Sequence, residues 1–155
     1  MSPASQKIPV PGTGVPLQAG ASEAERRLNI SVVFTSVEST LGALKEAGSL
    51  ARSLGARITL LVPHVVRYPL PLETPLVSVE FSEKRFREMA SQSPVETNVH
   101  IYLCRDRVQT LISALRPGSI VILGGKKRRL WPTADETLAR ALRGAGHEVI
   151  FREME

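Results

Sequence analysis

The apolar positions of this chain follow two rhythms that alternate along most of its length. Short runs such as Ile120-Val121-Ile122-Leu123 are apolar at every position, the composition of a strand buried on both faces, as in a parallel sheet. Longer stretches repeat apolar residues three or four apart, the spacing of a helix laid against such a sheet. In order, the pattern predicts a strand over Leu28–Phe34 and a helix with Leu41, Leu44, Ala47, Gly48, Ala51 and Leu54 on one face, closed by Gly55. A second strand covers Arg57–Val66 and ends or bends at Pro63. Arg67–Ser78, with Pro69, Pro71 and Pro75, is a loop. Phe81–Ala90 has helical spacing, and Val95–Leu103 alternates as a strand with one wetter face, hence near a sheet edge. A helix carrying Val108, Leu111, Ile112 and Leu115 follows, stopped by Pro117-Gly118. Then come the strand Ser119–Gly124, a helix over Thr133–Arg143 closed by Gly144 and Gly146, and a last strand over His147–Phe151.

Regular alternation of strand and helix with short connections means parallel crossovers, so the expected fold is an α/β three-layer sandwich occupying residues 28–155 as one domain. Residues 1–27 hold Pro3, Pro9, Pro11 and Pro16 with Gly12, Gly14 and Gly20 and have no apolar period. They are expected to form a disordered tail. Ligands of such sheets bind beyond the carboxyl ends of the strands. The ends that matter are Thr35, after the first strand, and Gly124, after the fourth.

Local chemistry concentrates at that second end. Gly124 and Gly125 are followed by Lys126, Lys127, Arg128 and Arg129, and then by Leu130, Trp131, Pro132 and Thr133. Glycines before a basic loop and a helix N-terminus make a place where an anion can sit. The dull readings are that the glycines turn the backbone, the cations are a solvated loop, and Trp131 is a lid or a plug against the last helix. Thr133-Ala134-Asp135-Glu136 also fits a capping box, whose Asp135 and Glu136 would repel a phosphate at the first turn. Thr35-Ser36-Val37-Glu38 fits the same spacing, with Glu38 as the reciprocal partner, and so does Asp106-Arg107-Val108-Gln109.

Composition adds limits. The net charge of +5 falls to +1 without the four loop cations, so the basic excess is one cluster and not a basic face. No apolar run approaches the roughly 20 residues of a membrane span, and there is no signal-peptide core, so a cytoplasmic location is expected. The single cysteine, Cys104, excludes an internal disulfide and reads as a buried inert thiol. His64, His100 and His147 show no metal-ligand spacing, and no nucleophile elbow, Walker loop or Rossmann fingerprint is present.

Three segments resemble the universal stress protein family: SLARSLGARITLLVPHVV, CRDRVQTLISAL and SIVILGGKKRRLWPTADETLARAL. The resemblance they carry covers roughly Leu28–Arg152, nearly everything after the tail. The resemblance implies a five-stranded parallel sheet of strand order 3-2-1-4-5, the adenine-nucleotide α-hydrolase-like arrangement, and a homodimer formed through the last strand. Some family members bind ATP, using an Asp at the end of the first strand and a loop G-x2-G-x9-G-(S/T). Here Thr35 or Ser36 stands where that Asp would fall. The second loop glycine is replaced by Lys127 or Arg128, and Pro132-Thr133 replaces the final Gly-(S/T) in a shortened loop. Carried over residue by residue, the nucleotide-site candidates are Thr35, Ser36, Val62, Gly124, Gly125, Lys126, Lys127 and Thr133, with no catalytic or metal-binding residue. His64 lies close to where family members seat the adenine.

The expectation is therefore a non-enzymatic regulatory or scaffold protein of universal stress type in a stress response, a homodimer with an unidentified protein partner, needing no cofactor and no membrane. One alternative is a sensor that binds ATP, another adenine nucleotide or a phosphate ligand weakly at the basic Gly-Gly loop. Another is an accessory domain that contacts nucleic acid through the four cations.

Overall fold

The computed structural model describes residues 5–9, 28–68 and 79–154, with side chains from 28 to 68 and from 81 onward. Among the described residues ten elements follow one another: β1 (Ser5–Pro9), β2 (Asn29–Val33), α1 (Val37–Leu54), β3 (Arg57–Val65), α2 (Val79–Ser91), β4 (Thr97–Cys104), α3 (Arg107–Ala114), β5 (Ile120–Gly125), α4 (Ala134–Gly144) and β6 (Glu148–Glu153). The sheet runs β1-β4-β3-β2-β5-β6. β2 to β6 pair in parallel, and counted from β2 their order is 3-2-1-4-5, as expected.

The strands alternate their side chains between two cores. Ile30, Val32 and Ile122 face one cluster, with Ala43, Leu44 and Ala47 of α1 and Phe86 and Met89 of α2. Val33, Val121 and Leu123 face the other, with Leu111 of α3 and Leu138 and Leu142 of α4. Two helices on each face make the three layers. β5 is buried on both faces, as its uninterrupted apolar run predicts. Burying each Leu or Ile contributes about 1.5–3 kcal/mol, so these two clusters supply the main driving force for the fold.

Two local expectations are corrected, the first only as to the strand ending at Pro63. β3 does not end at Pro63 but continues to Val65, with Pro63 in register with Tyr102 of β4. The Leu61 carbonyl is turned toward β2 and accepts the Phe34 N–H at 2.9 Å. Two residues on, the N–H that proline lacks would point to that same side, where β2 has already ended at Val33. No ladder bond is lost there.

The other concerns the first 27 residues. The sequence gives them no strand, yet Ser5–Pro9 pairs antiparallel with β4, Ser5 opposite Cys104 and Pro9 opposite His100. β4 would otherwise be the free edge that its alternating pattern predicts. The remainder of that segment, and residues 69–78 of the expected loop, lie outside the described residues. No helix among the described residues is long and apolar enough to cross a membrane.

Candidate functional site

β2 is the first strand of the parallel sheet and β5 the fourth, and they lie side by side, so the chain leaves them in opposite directions. A crevice forms at such a reversal, beyond the strand ends. Here it is an open cleft of about 350 Å³ lined by Ser36, Val37, Glu38, Ser39, Lys126, Thr133, Asp135 and Met154. The N-termini of α1 and α4 border it, as does the chain just after β6.

On the β2 side, Ser36 is the cap of α1 and its hydroxyl accepts the Ser39 N–H at 3.3 Å. Thr35 does not cap. Its hydroxyl donates to the Gly124 carbonyl at 2.6 Å, and its N–H donates to Thr40 Oγ1 at 3.1 Å. It ties the exit of β2 to the exit of β5. Glu38 is exposed and lines the cleft instead of closing a capping box.

On the β5 side, the two glycines are strand residues, not a turn. Gly124 is in register with Arg152 and Gly125 with Glu153. Among the described residues, the glycines with positive φ are Gly55, Gly118 and Gly146. Close approach explains the pair: a Cβ on Gly124 would lie 2.4 Å from the Ser39 carbonyl oxygen, and one on Gly125 2.7 Å from the Asp135 Cβ. These glycines let the first turns of α1 and α4 press onto the strand end.

The basic loop is pinned at its base. Thr133 Oγ1 accepts the Glu136 N–H at 3.2 Å, capping α4, and donates to the Lys126 carbonyl at 2.7 Å. Glu136 Oε1 accepts the Arg128 N–H at 3.0 Å. Asp135 faces Arg107 of α3, Oδ1 to Nη2 3.6 Å. The Met154 N–H donates to the Gly125 carbonyl at 2.8 Å, which carries the chain after β6 along the cleft wall.

Of the eight sequence candidates, Ser36, Lys126 and Thr133 line the cleft, while Thr35, Gly124 and Gly125 are packed at the strand ends beside it and are not part of its lining. Lys127 lies with its Nζ 5.6 Å from the centre of the Phe151 ring, over the last strand. Val62 is buried inside β3, in register with Ile101, and does not reach the cleft. Trp131 plugs nothing: it is 76% exposed, beside Leu130 at 85%. Ser39 and Met154 are cleft residues that carry no motif. For Asp135 and its neighbour Glu136 the acidic first turn of α4 was the available signal.

The cleft therefore sets one cation, Lys126, against the carboxylates of Glu38 and Asp135. The Thr133 hydroxyl is engaged on both sides by its own chain. Away from the cleft, Cys104 is fully buried, and desolvation pushes its thiol pKa up, as expected for an inert cysteine. Burial lowers the pKa of His64, at the far end of β3. No group of three His, Cys, Asp or Glu among the described residues could hold a metal ion.

No protein-family model and no curated protein matches the chain. Among solved structures it is similar to a universal stress protein from Archaeoglobus fulgidus, with 16% sequence identity and a TM-score of 0.55. The match covers 85% of this chain and 98% of that one. The fold is that of the universal stress proteins.

Proposed function

We propose that this chain is a regulatory or scaffold protein of universal stress type, without turnover chemistry, working as a cytoplasmic homodimer in a stress response. One observation carries the reading: the switch-point cleft is furnished with the chain's own carboxylates and a committed hydroxyl where a nucleotide's phosphates would need donors and cations. An anion placed there meets Glu38 and Asp135 as well as Lys126, and the electrostatic gain largely cancels. The lining holds neither an imidazole nor a thiol, and its Ser36 and Thr133 hydroxyls serve as helix caps.

The exposed edge supports the dimer. β6 ends the sheet, and its Val149, Ile150 and Phe151 are only partly buried. The Glu148 and Met154 N–H groups donate inward to β5, so those of Val149, Phe151 and Glu153 face outward. A two-fold pairing of β6 with a second copy would satisfy them.

Thermal unfolding with ATP, ADP and a cyclic nucleotide tests the reading. A ligand present at a hundred times its dissociation constant would raise the midpoint by roughly 5–10 °C. The expected shift is none. A shift of that size with any nucleotide overturns the scaffold reading in favour of a sensor. Light scattering is expected to give a dimer mass, reduced to a monomer by Glu153→Pro, with helical circular dichroism like the parent's and a midpoint lowered by the association lost. A monomer at every concentration would remove the dimer.

A further inference from the structure

We propose that the loop from Lys126 to Trp131 is a peripheral docking site for an anionic lipid surface, its Leu130-Trp131 tip entering the headgroup region. The tip is the most exposed apolar pair of the described chain, Leu130 at 85% and Trp131 at 76%. Adjacent large apolar residues held in water form a patch that a partner surface can cover. The four residues before them are all cationic and supply most of the net charge of +5. None of those cations is used by the ion pairs Arg57–Glu96, Arg107–Asp135 and Arg152–Glu46. Lys126 borders the cleft and Lys127 lies over Phe151, so Arg128 and Arg129 flank the tip most directly.

The loop is also presented and not merely left over. The Thr133 bond to the Lys126 carbonyl and the Glu136 bond to the Arg128 N–H fix its base on the first turn of α4. Those two anchors leave Arg129, Leu130 and Trp131 projecting beyond them. Cations next to Trp and Leu are what an anionic interface rewards: the charges are drawn to the surface and the apolar pair is buried below it. A nucleic acid would stack on Trp131 but gain little from Leu130, and it prefers a groove with several aromatic platforms. A protein partner would have to bring a pocket of its own. The sequence-based expectation of no membrane contact rested on the lack of a spanning run, which does not bear on a loop that lies on the surface.

Trp131 is the only tryptophan in the chain, so its fluorescence reports on the tip alone. The protein should co-sediment with vesicles of phosphatidylcholine mixed with phosphatidylserine, with a blue-shifted emission, and should do neither with phosphatidylcholine alone. Added salt should weaken binding, and each loop cation changed to Gln should cost roughly fivefold. The double variant Leu130→Ser with Trp131→Ser keeps the charge and the exposed position, so it should unfold like the parent yet lose about tenfold or more in partitioning. Three results would overturn the proposal. They are no co-sedimentation with the anionic vesicles, unchanged partitioning of the double variant, or tighter binding to a single-stranded oligonucleotide than to the vesicles.

Discussion

A methyl group has no room at Gly124, although nothing in its backbone conformation demands glycine. Its nearest neighbour would be the Ser39 carbonyl oxygen at 2.4 Å, a backbone atom that cannot rotate away. Gly124→Ala should therefore push α1 off β5 and cost about 1–3 kcal/mol, read as a lower urea midpoint. Unchanged stability would mean that α1 sits more loosely than this geometry allows. The glycine pair was conspicuous in the sequence, but the reason was not: one chain of letters cannot show that residue 39 packs on residue 124. Thr133 was more legible, because a cap is a local device and its acidic partner lies three residues on. His64 yields a second prediction at this scale. Its folded pKa is lowered by burial, so between that value and 6.5 the unfolded chain binds more protons. Its contribution is complete above pH 6.5 and is lost as pH falls through the folded pKa. His64→Gln should flatten that part of the acid limb in urea midpoints measured from pH 7.5 to pH 5, and an identical slope would assign the loss to other groups.

At the scale of elements, the parallel core was legible because each strand and helix is amphipathic or fully apolar on its own account. β1 was not. Ser5–Pro9 is a short polar stretch among prolines, and only the free edge of β4 makes it a strand. Such pairing is set by the partner and not by local pattern. Both described cores are built from residues 30 onward, so a chain lacking residues 1–27 should still fold, with helical circular dichroism like the parent's. What it should lose is edge protection. With β4 uncovered, size-exclusion profiles should broaden toward species larger than the parent's at rising concentration. Identical profiles at all concentrations would show that β1 does not guard that edge.

For the whole molecule, strand order was legible through a family resemblance and through the regular alternation that forces crossovers. The character of the site was less so, because it depends on which side chains three separate segments bring together. The strand order reverses between the parallel neighbours β2 and β5, and this brings the N-termini of two helices to one cleft, an arrangement that by itself attracts negative charge. The chain has met that attraction internally, with Glu38 at the start of α1 and with Asp135 and Glu136 at the start of α4. Architecture and lining thus pull in opposite directions, and their balance can be measured. Glu38→Gln with Asp135→Asn removes two of the carboxylates and leaves Lys126 and both helix ends in place. Glu136 is kept because it holds the Arg128 N–H. The Arg107–Asp135 pair given up is partly exposed at 3.6 Å, so it should cost no more than about 1 kcal/mol of stability. The double variant should bind inorganic phosphate or ADP roughly tenfold more tightly than the parent at low salt, by calorimetry, with the gain fading as salt rises. Affinity that stays unmeasurable in both proteins would mean that the two helix ends exert no useful field in the cleft, and that the fold's ligand position has been lost through shape and not through charge.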